Sequence, residues 1–122
     1  MTFEEGLVKE LSEVIKTYPL VAPEGVATPF LTYKKNNVEF KKTLSGTSNK
    51  VTGEYNLVIV AKKYEELQRL EETVSKALLD VYQKNIGDNG PYIENLTVKL
   101  TGDNYIVDTD EYVGNINLKI NY

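Results

Sequence analysis

The stretch DTDEYVGNINLKINY, Asp108 to Tyr122, decides the reading of this chain. From Tyr112 onward it alternates: Tyr112, Ile116, Leu118, Ile120 and Tyr122 fall on one face of an extended segment, and Val113, Asn115, Asn117, Lys119 and Asn121 on the other. Only Val113 and the sideless Gly114 break the pattern. Period two with one apolar face predicts a strand half-buried in a sheet. A chain end this regular is expected to be tied into that sheet, and to be available to a neighbouring chain.

Upstream, Ile93 to Leu100 reads as the preceding strand, and Tyr105 to Val107 as a short extended piece. IGDNGPY, Ile86 to Tyr92, carries two glycines and a proline and ends a helix. That helix starts at Tyr64, with Leu67, Leu70, Val74, Ala77, Leu78 and Val81 as its apolar stripe. Glu65 and Glu66 suit the positive end of its dipole and Lys84 the negative end. Before it, EYNLVIVA, Glu54 to Ala61, is rich in β-branched residues and apolar on both faces in its second half, which predicts a central strand covered on both sides.

At the other end, Phe3, Leu7, Val8, Leu11, Val14, Ile15 and Tyr18 recur at helical spacing, and Thr2 with Glu5 forms a capping box. The spacing predicts a helix over Phe3 to Thr17, stopped by Pro19. LVAPEGVATP, Leu20 to Pro29, is a connecting loop. In FLTYKKNNVEFKKT an Asn36-Asn37 turn would set Lys34 opposite Glu39 and Tyr33 opposite Phe40 in a hairpin. SGTSNKVTG, Ser45 to Gly53, is small and polar and reads as a protruding loop. The fold class that follows is α+β: a mainly antiparallel sheet with two amphipathic helices packed on one face and a largely polar second face.

Composition bounds the chemistry. The 122 residues suit one domain spanning 1–122. With 0 Cys and 0 His, thiolate nucleophiles, Ser-His and Cys-His pairs and the usual zinc ligands are excluded. A net charge of -4 opposes binding to a phosphate backbone. The acidic start MTFEEGLVKEL differs from a signal peptide, and no apolar run approaches the ~20 residues of a membrane helix, so a soluble protein is expected.

Chemical candidates are few. Asp103, Asp108, Asp110 and Glu111 are the one acidic group able to hold a hard cation, but their spacing matches no EF-hand loop, and a solvated turn before a strand is the favoured reading. Asp88-Asn89-Gly90 is explained as a helix exit. Lys34, Lys35, Lys41 and Lys42 form a basic set on the hairpin, either as a patch for an acidic partner or as protection of a strand edge. Nucleic-acid sites add arginines, and the one arginine here is Arg69, inside a helix. No GxxxxGK[ST] or GxGxxG follows a strand. Nine tyrosines against 0 Trp are spread over every element and favour a protein partner.

The order of a short N-terminal helix, a proline-introduced PFLTY strand, a polar loop, the unit GEYNLVIVAKKYEELQRLEETVSKAL and the terminal DTDEYVGNINLKINY resembles the tail terminator, or tail completion, proteins of long-tailed bacteriophages, some of them described as minor capsid proteins. The resemblance implies a small α+β virion protein that closes the tail tube and joins it to the head. It further implies a homohexameric ring through which DNA passes without specific binding, with the tail-tube protein and a head-completion protein as partners, no cofactor, no catalysis and no membrane. Location follows as the head-tail interface of the virion, and the host cytoplasm during assembly. Candidate contact residues are Lys34, Lys35, Lys41 and Lys42 of the hairpin, Ser45, Thr47, Asn49 and Lys50 of the loop, and Asn115, Asn117 and Lys119 of the terminal strand.

Two other readings stand beside this one. A monomeric module could capture an extended peptide along an open sheet edge. A carboxylate metal enzyme would centre on Asp108, Asp110 and Glu111.

Overall fold

The computed structural model describes residues 1–42 and 49–122. Its elements are α1 (Phe3–Ser12), β1 (Lys16–Pro19), β2 (Phe30–Lys42), β3 (Asn49–Ala61), α2 (Tyr64–Leu79), β4 (Asn95–Ile106) and β5 (Glu111–Asn121). The five strands form one sheet in the order β1-β2-β3-β5-β4, antiparallel except for the parallel pair β1 and β2. The α+β class and the packing of helices on the sheet agree with the sequence pattern. Because β5 runs against both β3 and β4, those two run the same way, and the chain passes between them through α2.

The capping box at the start of α1 is formed: the Glu5 amide donates to Thr2 Oγ1 at 3.2 Å and the Thr2 amide to Glu5 Oε1 at 3.1 Å. Phe3, Leu7 and Leu11 are buried. The helix ends at Ser12, however, and not at Thr17. Val14, Ile15 and Thr17 are β-branched and crowd a preceding helical turn, whereas as an extended segment Lys16–Pro19 gains a ladder along Phe30–Tyr33. Ile15 still enters the core, through a turn in which its amide donates to the Leu11 carbonyl at 2.9 Å.

No turn forms at Asn36-Asn37. Strand β2 runs straight through, with an irregularity between Lys35 and Asn37 that takes up Asn36 as a bulge. Lys34 lies opposite Asn56 and Tyr33 opposite Leu57, replacing the expected Glu39 and Phe40. Long pairing with β3, from Phe30 with Val60 to Lys42 with Asn49, outweighs the local turn chemistry. Asn49 to Gly53 therefore belong to β3, while the rest of the expected protruding loop, 45–48, lies outside the described residues. Likewise β4 continues to Ile106 through a second bulge between Leu100 and Gly102, and absorbs the separate piece expected at Tyr105. Helix α2 stops at Leu79, so Lys84 lies beyond its last turn, and Val81 is buried from the turn that follows.

The core lies between the helices and one sheet face. Tyr55, Leu57, Ile59, Ile116, Leu118 and Ile120 come from the sheet, and Leu7, Leu11, Leu67, Val74 and Leu78 from the helices. Phe3 packs on Tyr55 and Tyr122, with ring centroids 5.1 and 5.4 Å away. Gly6 lets α1 approach the turn at Ile86: a Cβ there would lie 2.7 Å from Ile86 Cγ2 and 2.9 Å from its carbonyl oxygen. The second face of β3 differs from expectation, since Val58 and Val60 are half-buried and no described element covers them. Lateral neighbours in the sheet, Phe30 and Val113 beside Val60, supply their shielding.

Candidate assembly surface

The uncovered sheet face is built row by row from the cross-strand register. Lys34, Asn56, Asn117 and Lys99 form one row, Asn37, Glu54, Lys119 and Thr97 the next, and Glu39, Thr52, Asn121 and Asn95 a third. Polar side chains satisfy one another within and between these rows. Asn117 Nδ2 donates to Glu54 Oε1 at 3.1 Å, and Thr52 Oγ1 to Asn121 Oδ1 at 2.8 Å. Asn115 Nδ2 donates to the Gly102 carbonyl at 3.4 Å. A depression of about 110 Å3 opens between Asn37, Glu39, Thr52, Glu54 and Lys119. At the other end of the same face Phe30, Val58, Val60 and Val113 form a half-buried apolar patch.

The structure brings Asn115, Asn117, Lys119 and Lys34 together on this face. It does not assemble the four lysines into one patch, because the pleat alternates them. Lys34 and Lys41 point with the open face, while Lys35 and Lys42 point to the helix side, Lys35 lying 3.9 Å from Glu4 Oε2. Lys41 Nζ lies 3.8 Å from Glu39 Oε1, and Lys50 is tied to Glu94. Asn49 pairs with Lys42 through the backbone ladder. Ser45 and Thr47 lie outside the described residues.

The terminal strand cannot be an edge offered to a neighbour. β5 is flanked by β3 on one side and β4 on the other, so its backbone groups are already paired. Alternation along a strand reports which face is buried, and says nothing about lateral position. The rims of the sheet are instead β4 and the part of β2 that β1 leaves open, because β1 reaches only from Phe30 to Tyr33.

The acidic group is also dispersed. Asp103 turns toward α2, Asp110 accepts a hydrogen bond from the Tyr105 hydroxyl in the β4-β5 turn, and Lys62 Nζ donates to the Thr109 carbonyl at 3.0 Å. Among the described residues no three carboxylates converge as metal ligands would. A constellation absent from the sequence reading lies nearby. Glu71 of α2 is 5% exposed, and its carboxyl and that of Asp103 converge over Gly114, with Tyr64 Oη donating to Asp103 Oδ2 at 3.2 Å. Burial and the neighbouring Asp103 push Glu71 up to about 7. These groups border a groove of about 580 Å3 between α2 and the β4 rim, lined also by Gln68, Glu72, Ser75 and Leu100. Two sequence signals pointed here: Glu71 continues the stripe position of Leu67, Val74 and Leu78, and Gly114 interrupts an apolar strand face.

Fold and surface together define an α+β sheet protein that commits one sheet face to its core and, among the described residues, leaves the other face and two strand rims open. This architecture is shared with a chain in the virion of a native gene transfer agent particle, with a TM-score of 0.65 and 10% sequence identity over 94% of this chain and 82% of that one. No protein-family model matches the sequence, and no curated protein matches it.

Proposed function

We propose that this protein is a structural component of a phage-type virion that caps the tail tube and joins it to the head, assembled as a homohexameric ring. The observation that carries the reading is the fold shared along nearly the whole chain with a component of a virion. It agrees with the order of elements that resembles phage tail terminators. The surface suits the role: an open, hydrogen-bonded face of Asn115, Asn117 and Lys119 beside Glu54 offers polar contacts, and a net charge of -4 favours passage of DNA without retention. Partners under this reading are further copies of the chain, the tail-tube protein and a head-completion protein.

Particles produced without the protein test the role directly. A missing cap predicts tubes of uncontrolled length and heads without tails, both visible by negative-stain microscopy. Normal tailed particles in its absence would exclude the role. A second reading, a monomeric module that binds an extended peptide, draws on the same free strand rims. A stable ring in negative stain removes it.

A further inference from the structure

The two open rims of the sheet match each other. Among the described residues no strand lies beside the outer side of β2 from beyond Tyr33 to Lys42, or beside the outer side of β4 from Asn95 to Ile106. Such ladders attract another strand unless they are guarded or used. Both rims also carry unshielded apolar side chains: Phe40 on β2 is 76% exposed and Leu100 on β4 is 54% exposed. Their charges are complementary, with Lys35 on one and Asp103, backed by Glu71, on the other. Among the described residues neither of those carboxyls has a cation beside it.

We propose that the Lys34–Lys42 rim of β2 in one copy pairs antiparallel with the β4 rim of a second copy of this chain, placing Lys35 opposite Asp103 and Val38 opposite Leu100. This rests on the ring reading above and specifies its joint. Direction is compatible, since β2 runs against β3 and β4 runs with β3; copies turned about an axis inclined to the strands bring the two rims together in antiparallel sense, and the inclination takes up the slide from the level of Lys35 to that of Leu31 that this register makes at each step. Because the rims differ, the contact is head-to-tail and repeats from copy to copy, as a ring requires.

Three features fix the register. β1 closes the rim above Lys34, which is therefore the first free position. Faces then agree: Lys35, Val38 and Phe40 lie on the helix side opposite Tyr55, Gly53 and Val51, and Asp103, Leu100 and Val98 lie on the helix side opposite Gly114, Ile116 and Leu118. In this register Phe40 is opposite Val98 and diagonal to Leu100, so both exposed side chains gain apolar neighbours. Finally, the bulge between Lys35 and Asn37 faces the bulge between Leu100 and Gly102, and the two extra residues compensate. The second copy's chain next to Asp103 continues into exposed Ile106 and Val107, beside the point where exposed Leu20 and Val21 leave the β2 rim.

The absence of cysteine makes the joint directly testable. Within one chain positions 38 and 100 are separated by β3 and β5, about 14 Å across the sheet, and are further offset along the strands, beyond the reach of a disulfide. Purified Val38→Cys is mixed with purified Leu100→Cys and oxidised mildly. The expected product is the mixed dimer, while Val38→Cys, Leu100→Cys in one chain gives a ladder of multimers. Lys35→Glu lowers the yield about tenfold, and adding Asp103→Lys restores it. Oligomers seen by light scattering without the mixed cross-link, or cross-links of Val38→Cys with itself, overturn the joint and leave the ring standing. A chain that stays monomeric and uncross-linked at its highest soluble concentration overturns both.

Discussion

Glu71 and Asp103 meet above Gly114: a side chain on that glycine would place its Cβ 3.1 Å from Glu71 Oε2 and 3.1 Å from Asp103 Oδ1. A helix, one strand and the missing side chain of a second strand thus create one notch that holds two carboxyls. Burial favours a proton on Glu71, and with no cation beside the pair among the described residues that proton also relieves the repulsion from Asp103.

Stability should therefore fall as pH rises through this pair. Glu71 is held up to about 7 in the folded chain against an ordinary value of 4.5, so the folded state binds the extra proton between those limits. The contribution is complete below the unfolded value and is lost as pH passes the folded one, on the order of 3 kcal/mol in all. Glu71→Gln keeps the shape and donates to Asp103 at every pH. Urea unfolding at pH 5 and pH 8 should show the wild type losing stability relative to this variant at the higher pH; parallel losses would show that Glu71 does not titrate in this range.

Gly114→Ala places a methyl group in the notch and is expected to cost about 1–2 kcal/mol. In a Glu71→Ala background the contact with Glu71 is gone and that with Asp103 Oδ1 remains, and the same substitution should cost less by at least about 0.5 kcal/mol. The four-member cycle, read from urea midpoints at constant slope, measures that coupling; additive costs would mean that Asp103 or the strand itself, and not the Glu71 carboxyl, resists the methyl.

Gly6→Ala tests the seam between α1 and the turn at Ile86. Alanine is favoured over glycine in a helix by about 1 kcal/mol, yet its Cβ would sit 2.9 Å from the Ile86 carbonyl oxygen, which cannot swing aside as a flexible side chain can. A net loss of about 1–2 kcal/mol is expected, checked by thermal and urea unfolding. A gain in stability would show that the seam opens freely.

Much of this fold was legible because its signals are local. The Thr2-Glu5 cap, the stripe through Phe3, Leu7 and Leu11, and the alternation from Tyr112 to Tyr122 each specify an element without reference to a distant partner. What escaped depends on pairing far along the chain. Lys16–Pro19 continues a helical period and becomes a strand only because Phe30–Tyr33 lies beside it, and Asn36-Asn37 reads as a turn until the long match with β3 converts it to a bulge. The lateral place of β5 was hidden for the same reason. Of the candidate contacts, the Asn115, Asn117 and Lys119 face followed from alternation alone, whereas the division of Lys34 from Lys35 needed the register.

Position 117 separates the two sheet faces most sharply. Leu118, 1% exposed, lies in the core, so Leu118→Asp buries a charge with no partner and should unfold the domain. Its neighbour faces out, but it is not a neutral position, because Asn117 Nδ2 donates to Glu54 Oε1. Asn117→Asp sets a carboxylate against Glu54 and loses that donor, at an expected cost of about 1 kcal/mol, while Asn117→Lys brings an opposite charge and should fold with nearly wild-type stability. Circular dichroism and urea midpoints distinguish the three variants. On the ring reading, a lysine variant that folds and assembles as the wild type does removes the Asn117 row from the candidate subunit contacts.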